Sequence, residues 1–93
     1  MDIILTEQFK AELKIILDFY ASKSQMVANT FLDELFEKIE SIAFMAYRFR
    51  KNRYFEKDNV RDLIFKGYVI SFIIENETIK ILSIYGHNLP KIN

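Results

Sequence analysis

The chain of 93 residues contains no cysteine and no tryptophan, and it has two glycines, one proline and one histidine. Without cysteine, disulfide bonds and thiolate metal sites are excluded, and a reducing compartment is the expected environment. A metal site would depend on carboxylates, yet the acids between residues 33 and 40 are spaced like the solvated face of a helix. Because the two glycines stand alone, no glycine-rich phosphate loop exists. We therefore predict neither a metal nor a cofactor.

The sequence also lacks a long apolar run and an excess of either charge. No run approaches the ~20 apolar residues of a membrane span, and no basic segment followed by an apolar one opens the chain. We expect a cytoplasmic protein with no membrane contacts. A net charge of zero is unusual for a dedicated nucleic-acid binder. The charges are nonetheless divided, because residues 1–45 carry four basic and eight acidic side chains and residues 46–93 carry nine and five.

Residues 60–87 predict a three-stranded antiparallel meander. β-Branched and aromatic side chains dominate residues 63–65, 68–74 and 78–85, as they do on pleated, half-buried surfaces. Lys66-Gly67 separates the first two strands, and glycine supplies the positive φ that a two-residue turn needs. Residues 75–77 separate the last two strands. Strict alternation in the third strand groups Ile79 and Ile81 with Tyr85, and places Leu82 and Ile84 on the opposite side.

The N-terminal half predicts a short strand over residues 2–6 and two amphipathic helices. Thr6 is expected to cap the first helix, which ends at about Ala21, and Ser24 to cap the second. Two stripes at helical spacing face inward: Phe9, Leu13, Ile16, Leu17 and Tyr20 in the first helix, and Val27, Phe31, Leu35, Ile39 and Ile42 in the second. We predict a single α+β domain over residues 1–93, in which an antiparallel helical hairpin packs on an antiparallel sheet.

Residues 46–59 have no clear periodicity and predict either a short irregular strand or a loop across the sheet. They contain a basic cluster formed by Arg48, Arg50, Lys51 and Arg53. Both faces of the meander are rich in apolar side chains, so the helices cannot be its only cover. Either residues 46–59 and the C-terminal tail bury the second face, or a partner docks there or on a sheet edge. We favour the partner.

The order and spacing of several short segments resemble the RelE/ParE superfamily, the toxins of bacterial type II toxin–antitoxin systems. The segments are Leu5-Thr6 before the first helix, LDFYA at residues 17–21, ANTF at residues 28–31, VRDL at residues 60–63, GYVISF at residues 67–72 and the last strand ending at Gly86-His87. The resemblance implies a compact α+β toxin that a separate antitoxin neutralises, with operator DNA contacted only through the antitoxin. The antitoxin would cover Val69, Ile73, Leu82 and Ile84 on the second sheet face.

The superfamily divides by target, and this chain is more similar to ParE than to RelE because of its long helical hairpin and residues 18–21. ParE-like toxins inhibit DNA gyrase and have no known catalytic residues. The resemblance therefore implies a gyrase inhibitor. We expect it to contact its target through the exposed parts of the helical hairpin and the basic cluster of Arg48, Arg50, Lys51 and Arg53.

A RelE-like, metal-independent ribonuclease that cuts ribosome-bound messenger RNA is the alternative. Lys51, Arg53, Arg61 and His87, with Tyr85, would then activate the ribose 2′-hydroxyl and stabilise the phosphate. Asn88 and Leu89 stand where many such enzymes have a basic residue. Arg61 has a structural alternative as an ion-pair partner of a neighbouring aspartate, and His87 as a backbone cap. A third hypothesis is a non-toxic member that only binds its antitoxin.

Overall fold

The computed structural model describes residues 1–86, so His87 lies outside the described part of the chain. The elements in chain order are β1 (Asp2–Leu5), α1 (Glu7–Lys23), α2 (Gln25–Ile42), a 3₁₀ turn (Ala46–Arg48), β2 (Arg50–Lys51), β3 (Val60–Phe65), β4 (Tyr68–Glu75) and β5 (Thr78–Gly86). The five strands form one sheet in the order β1-β5-β4-β3-β2, and the helices cover one of its faces. The predicted α+β architecture with a C-terminal meander is confirmed. None of the helices within residues 1–86 is long and apolar enough to cross a membrane.

Both helices begin at the predicted caps. The Thr6 hydroxyl accepts a hydrogen bond from the Phe9 amide at 3.2 Å, and the Ser24 hydroxyl accepts one from the Val27 amide at 3.3 Å. Ser24 also ends α1, because its own amide donates to the Tyr20 carbonyl at 2.9 Å. Its extended backbone (φ −165°, ψ 124°) turns the chain from one helix into the next. The first helix thus continues two residues past the predicted end at Ala21.

The core lies between the helical hairpin and the facing side of the sheet. Its fully enclosed side chains come from both layers: Phe9, Leu35, Ile39 and Ile42 from the helices, and Ile70, Phe72, Ile79 and Ile81 from the strands. Val27 is an exception to the predicted stripe, since 48% of it is exposed. Ala28, one position further along the helix and 3% exposed, takes the inward position instead.

The alternation predicted for the third strand of the meander is wrong beyond Leu82. Phe72 is paired with Ile81 and Ser71 with Ser83, so Leu82 is an extra residue in β5, as in a β-bulge. The inserted residue reverses the faces of the positions that follow. Ile84 therefore lies in the core with 2% exposure, whereas Tyr85 lies opposite Val69 on the other face.

Side chains of α1 and its cap bind the backbone around this bulge. The Thr6 hydroxyl donates to the carbonyls of Ile81 (2.7 Å) and Leu82 (3.2 Å), and the Glu12 carboxylate accepts from the Ile84 amide at 3.0 Å. The first helix is thereby attached to β5 by polar contacts as well as by packing.

The sheet is mixed, which differs from the antiparallel sheet predicted. The meander is antiparallel, but β1 pairs in parallel with β5, from Asp2 opposite Thr78 to Leu5 opposite Ile81. Parallel neighbours require a long crossover connection, and the helical hairpin lies within the one that separates them here. Lys66 and Gly67 (φ 49° and 83°) both take the left-handed conformation of the predicted β3–β4 turn.

Candidate functional site

The basic segment, residues 46–59, wraps around the free side of β3 at the edge of the sheet. Its only regular pieces are the 3₁₀ turn and β2, which pairs Arg50 with Asp62 and Lys51 with Arg61. The Asn52 amide then donates to the Val60 carbonyl at 2.9 Å. A short irregular strand, one of the two predicted alternatives, is therefore present. Two buried polar side chains, Arg61 and Asn52, hold the rest of the segment from opposite faces of the sheet.

Arg61 holds the segment from the helix side of the sheet and is 8% exposed. Its Nη1 donates to the carbonyls of Tyr47 (3.0 Å) and Phe49 (2.9 Å). Its Nε donates to the Asp58 carbonyl at 2.7 Å, and its Nη2 to the Asp58 carboxylate at 2.9 Å. The guanidinium also lies 5.0 Å from the centre of the Tyr47 ring. One side chain thus ties the beginning of the segment to its end.

Asn52 holds the segment from the outer face of the sheet. Its Nδ2 donates to the Asp62 carboxylate at 2.8 Å and to the Ser71 hydroxyl at 3.3 Å. Its Oδ1 accepts from the amides of Tyr54 (2.8 Å) and Phe55 (2.9 Å). Because Asn52, Asp62 and Ser71 are each no more than 5% exposed, the bonds among these three residues are shielded from water.

Three of the four cations of the predicted cluster have partners within the chain. Arg48 donates to the carbonyls of Phe44 and Ser41 at 3.2 Å each, near the end of α2. The other two are paired with carboxylates, Arg50 with Asp62 at 3.5 Å and Lys51 with Asp58 at 3.2 Å. Within residues 1–86, Arg53 makes no hydrogen bond or ion pair. Of the four cations, Arg53 is therefore the most available for a partner.

Large exposed apolar side chains surround these cations, and their exposure was not predicted. They are Phe44 (77% exposed), Met45 (69%), Tyr47 (50%), Tyr54 (61%) and Phe55 (53%). The aromatic residues are visible in the sequence, but this stretch has no periodicity that indicates which of them face water. Part of the segment encloses a depression of about 310 Å³, lined by Lys51, Asn52, Arg53, Phe55, Glu56, Lys57 and Asp58.

The predicted antitoxin-binding residues are not all accessible. Val69 and Ile84 are 1% and 2% exposed, so neither offers surface to a partner. For Ile84 the reason is the bulge at Leu82, which turns it into the core. Ile73 and Leu82 are half-buried.

The ribonuclease candidates are not arranged as one open cluster. Lys51 is paired with Asp58 at the sheet edge, and the donors of Arg61 point inward to the same aspartate and to backbone carbonyls. Tyr85 is on the outer face of the sheet, and His87 lies outside the described residues. Among residues 1–86, no group of three or more His, Asp or Glu side chains is placed to hold a metal ion.

Comparison with known proteins identifies the family to which the chain belongs. The family model described as "ParE toxin of type II toxin-antitoxin system, parDE" matches residues 3–88. The chain belongs to the ParE toxin family. The solved structure of the chromosomal ParDE toxin–antitoxin system from P. aeruginosa has the same fold, with a TM-score of 0.75 and 22% sequence identity over 92% of this chain and 95% of that one. No curated protein sequence matches the chain. ParE membership confirms the resemblance inferred from the sequence.

Proposed function

We propose that this ParE toxin inhibits DNA gyrase by binding it through the basic segment, and that a cognate antitoxin keeps it inactive. The proposal starts from membership of the ParE family. The enclosure of Arg61 is the structural observation that favours inhibition by binding over ribonuclease catalysis. A ribonuclease without a metal needs side chains that reach the ribose and phosphate of its substrate. Arg61 directs its donors into its own chain, so it supports the architecture of a binding surface rather than catalysis.

The composition of the basic segment supports a protein target. Arginine and large aromatic side chains carry much of the binding energy at protein interfaces, and here Arg53, Tyr54 and Phe55 are consecutive and exposed. An exposed apolar cluster of this kind on a small domain commonly marks an interaction site. Its positive charges would also steer the toxin towards an acidic surface, in a way that added salt weakens.

The antitoxin is proposed to cover the outer face of the sheet, in a reduced form of the surface predicted from sequence. Ile73 and Leu82 remain as half-buried candidates. Ile4 and Ile64, which are 46% and 44% exposed, extend the apolar area on the same face. A partner segment laid across these positions would remove them from water and leave the basic segment on the adjacent edge.

Two assays on the purified toxin test this function. Gyrase supercoiling of relaxed plasmid and the integrity of ribosome-bound message are measured over the same range of toxin concentrations. We expect supercoiling to be inhibited while the message stays intact, and the product of a neighbouring antitoxin reading frame to restore supercoiling. Arg53→Ala should raise the half-inhibitory concentration about fivefold or more, as expected for an interface arginine. Lys38→Ala, an exposed cation on α2, is the matched control.

Cleavage of the message with unaffected supercoiling would overturn the proposal in favour of the ribonuclease. Inactivity in both assays, in a folded toxin that still binds its antitoxin, would identify a non-toxic member of the family.

A further inference from the structure

We propose that Asn52 is a positioning residue, which orders the turn Arg53–Tyr54–Phe55 for contact with an acidic protein surface. This inference rests on the proposed function, because it assumes that the basic segment is the target-binding surface. Asn52 is not among the residues that the sequence predicted to bind the target. Its role follows from the two sets of hydrogen bonds that its amide makes.

The first set attaches Asn52 to the rigid part of the sheet. The Asp62 Oδ1 atom accepts from both Asn52 Nδ2 (2.8 Å) and the Ser71 hydroxyl (2.9 Å), while its other oxygen faces Arg50. Asp62 and Ser71 are paired neighbours in the centres of β3 and β4. No buried side-chain nitrogen or oxygen in the described residues lacks a hydrogen-bond partner. A fully satisfied polar cluster of this kind specifies one arrangement of its members.

The second set attaches the turn to Asn52. The Oδ1 atom accepts from the amides of Tyr54 and Phe55 at 2.8 and 2.9 Å, an arrangement in which an asparagine side chain replaces a backbone carbonyl. These bonds direct the backbone of the two residues and therefore the side chains that they carry. Every residue from Arg53 to Asp58 is exposed, so hydrophobic burial contributes little to the order of the turn.

The hydrogen bonds of Asn52 therefore hold exposed side chains in one conformation. This order favours binding, whereas it adds little to the stability of the core. A surface ordered before binding avoids the loss of conformational entropy that a flexible loop incurs when it docks. The chemistry of the turn favours a protein partner over a nucleic acid. Beside the turn, Lys51 is already paired with the Asp58 carboxylate at 3.2 Å, whereas the Tyr54 and Phe55 side chains are 61% and 53% exposed, so the turn presents large apolar rings as well as positive charge. An acidic protein surface with an apolar centre fits Arg53 beside Tyr54 and Phe55.

Three variants of the toxin distinguish the donor role of the Asn52 side-chain amide from its acceptor role. Asn52→Ala removes both sets of bonds. Asn52→Asp keeps the acceptor for the turn amides but places a second carboxylate against Asp62. Combining Asn52→Asp with Asp62→Asn exchanges the amide and the carboxylate between the two positions. The pair again contains one amide donor and one carboxylate acceptor. Each variant is measured by hydrogen exchange of the Tyr54 and Phe55 amides, by gyrase inhibition and by antitoxin affinity.

We expect Asn52→Ala to lower the protection of both amides and to raise the half-inhibitory concentration about tenfold, which corresponds to the loss of preorganisation in two or three side chains. Asn52→Asp should also weaken inhibition, and the exchanged pair should recover most of it. Antitoxin affinity should change less than about twofold, because the proposed antitoxin surface lies outside the turn. A purely structural role would instead weaken gyrase inhibition and antitoxin binding together.

Phe55→Ala provides an independent test that does not require a change in the buried cluster. It should weaken gyrase inhibition while the amide protection of Tyr54 is kept. Unchanged amide protection in Asn52→Ala would overturn the assigned role of Asn52, and lost protection with full inhibition would show that the turn does not contact the target. If the unmodified toxin does not inhibit gyrase, the proposed function fails. The exchange data alone then decide whether Asn52 orders the turn.

Discussion

The two-layer core and the basic segment of this ParE toxin are held together by different kinds of interaction. The core is formed by apolar side chains from the helical hairpin and the sheet, many of them fully enclosed. The basic segment contributes only Ala46 and Phe49 to that core, and it depends on hydrogen bonds from Arg61 and Asn52. Stability of the fold and order of the proposed target surface are therefore separable properties of one small domain.

This difference has a physical reason. Apolar burial is non-directional and tolerates some adjustment of neighbouring side chains, so it suits a core that must remain stable. Hydrogen bonds from a buried arginine or asparagine are directional, and they specify where a particular stretch of backbone lies. A surface rich in exposed cations and aromatic rings cannot order itself by burial and needs such anchors.

The largest effect is expected from a core truncation. Leu35→Ala removes a fully buried side chain from α2 and should lower the free energy of unfolding by about 2–5 kcal/mol. Because the segment rests on the core, both regions should be lost in one transition during urea unfolding. Val27→Ala, on the exposed side of the same helix, should cost less than about 1 kcal/mol. A similar loss in the two variants would contradict the assignment of Leu35 to the core.

A smaller and more local effect is expected when Arg61 is replaced. Arg61→Met removes the donors that bind the carbonyls of Tyr47, Phe49 and Asp58, at a cost of about 1–3 kcal/mol. Limited proteolysis should then cut within residues 46–59 before the core unfolds. Arg61→Lys should keep only part of the resistance of residues 46–59 to proteolysis, because an ammonium group cannot reproduce the planar geometry of the guanidinium.

The control for this experiment is Arg53→Met, because this exposed arginine makes no hydrogen bond or ion pair within residues 1–86 and its replacement should have little effect on proteolysis. Cleavage of Arg61→Met at the rate of the unmodified protein would show that the segment is held by its other contacts.

The smallest effect is expected at alkaline pH and is confined to the core region. Burial, followed by the hydrogen bond with the Tyr20 hydroxyl (3.3 Å), raises the pKa of Tyr68 from 10.0 to about 12. The neutral phenol is therefore favoured in the folded state. Its contribution to stability is complete below the unfolded pKa, near pH 10, and is lost as the pH rises through about 12.

Urea unfolding at a series of pH values checks this dependence against Tyr68→Phe, which has no titrating hydroxyl at this position. The free energy of unfolding should fall more steeply above pH 10 in the unmodified toxin than in the variant. Parallel curves would contradict the predicted titration of Tyr68.

Much of the fold could be predicted because its signals are local. The caps at Thr6 and Ser24, the stripes of the two helices and the turn at Lys66-Gly67 each depend on residues close together in the chain. The bulge at Leu82 could not be predicted, since it arises from the register between β4 and β5. Its consequence was the wrong face for Ile84 and Tyr85.

The candidate site was predictable in composition but not in arrangement. The basic cluster and its aromatic neighbours are visible in residues 44–55, and an ion pair for Arg61 was foreseen as an alternative to catalysis. The partners of these cations depend on contacts that the fold brings together, such as Arg61 with Tyr47 and Arg50 with Asp62. Sequence reasoning therefore gave four equivalent cations, and the structure distinguishes Arg53 from the other three.

The sequence by itself determined the order of the elements and the two apolar stripes, because these depend on local propensity and periodicity. Its short segments also carried the resemblance to the RelE/ParE superfamily. Only the tertiary structure decided that Val69 and Ile84 are buried and that Arg61 holds the segment rather than facing outward. It also decided that Asn52 connects the sheet to an exposed turn. Directional bonds between distant residues have no periodic signature in a sequence, and so they become visible only when the strands that carry them are brought side by side.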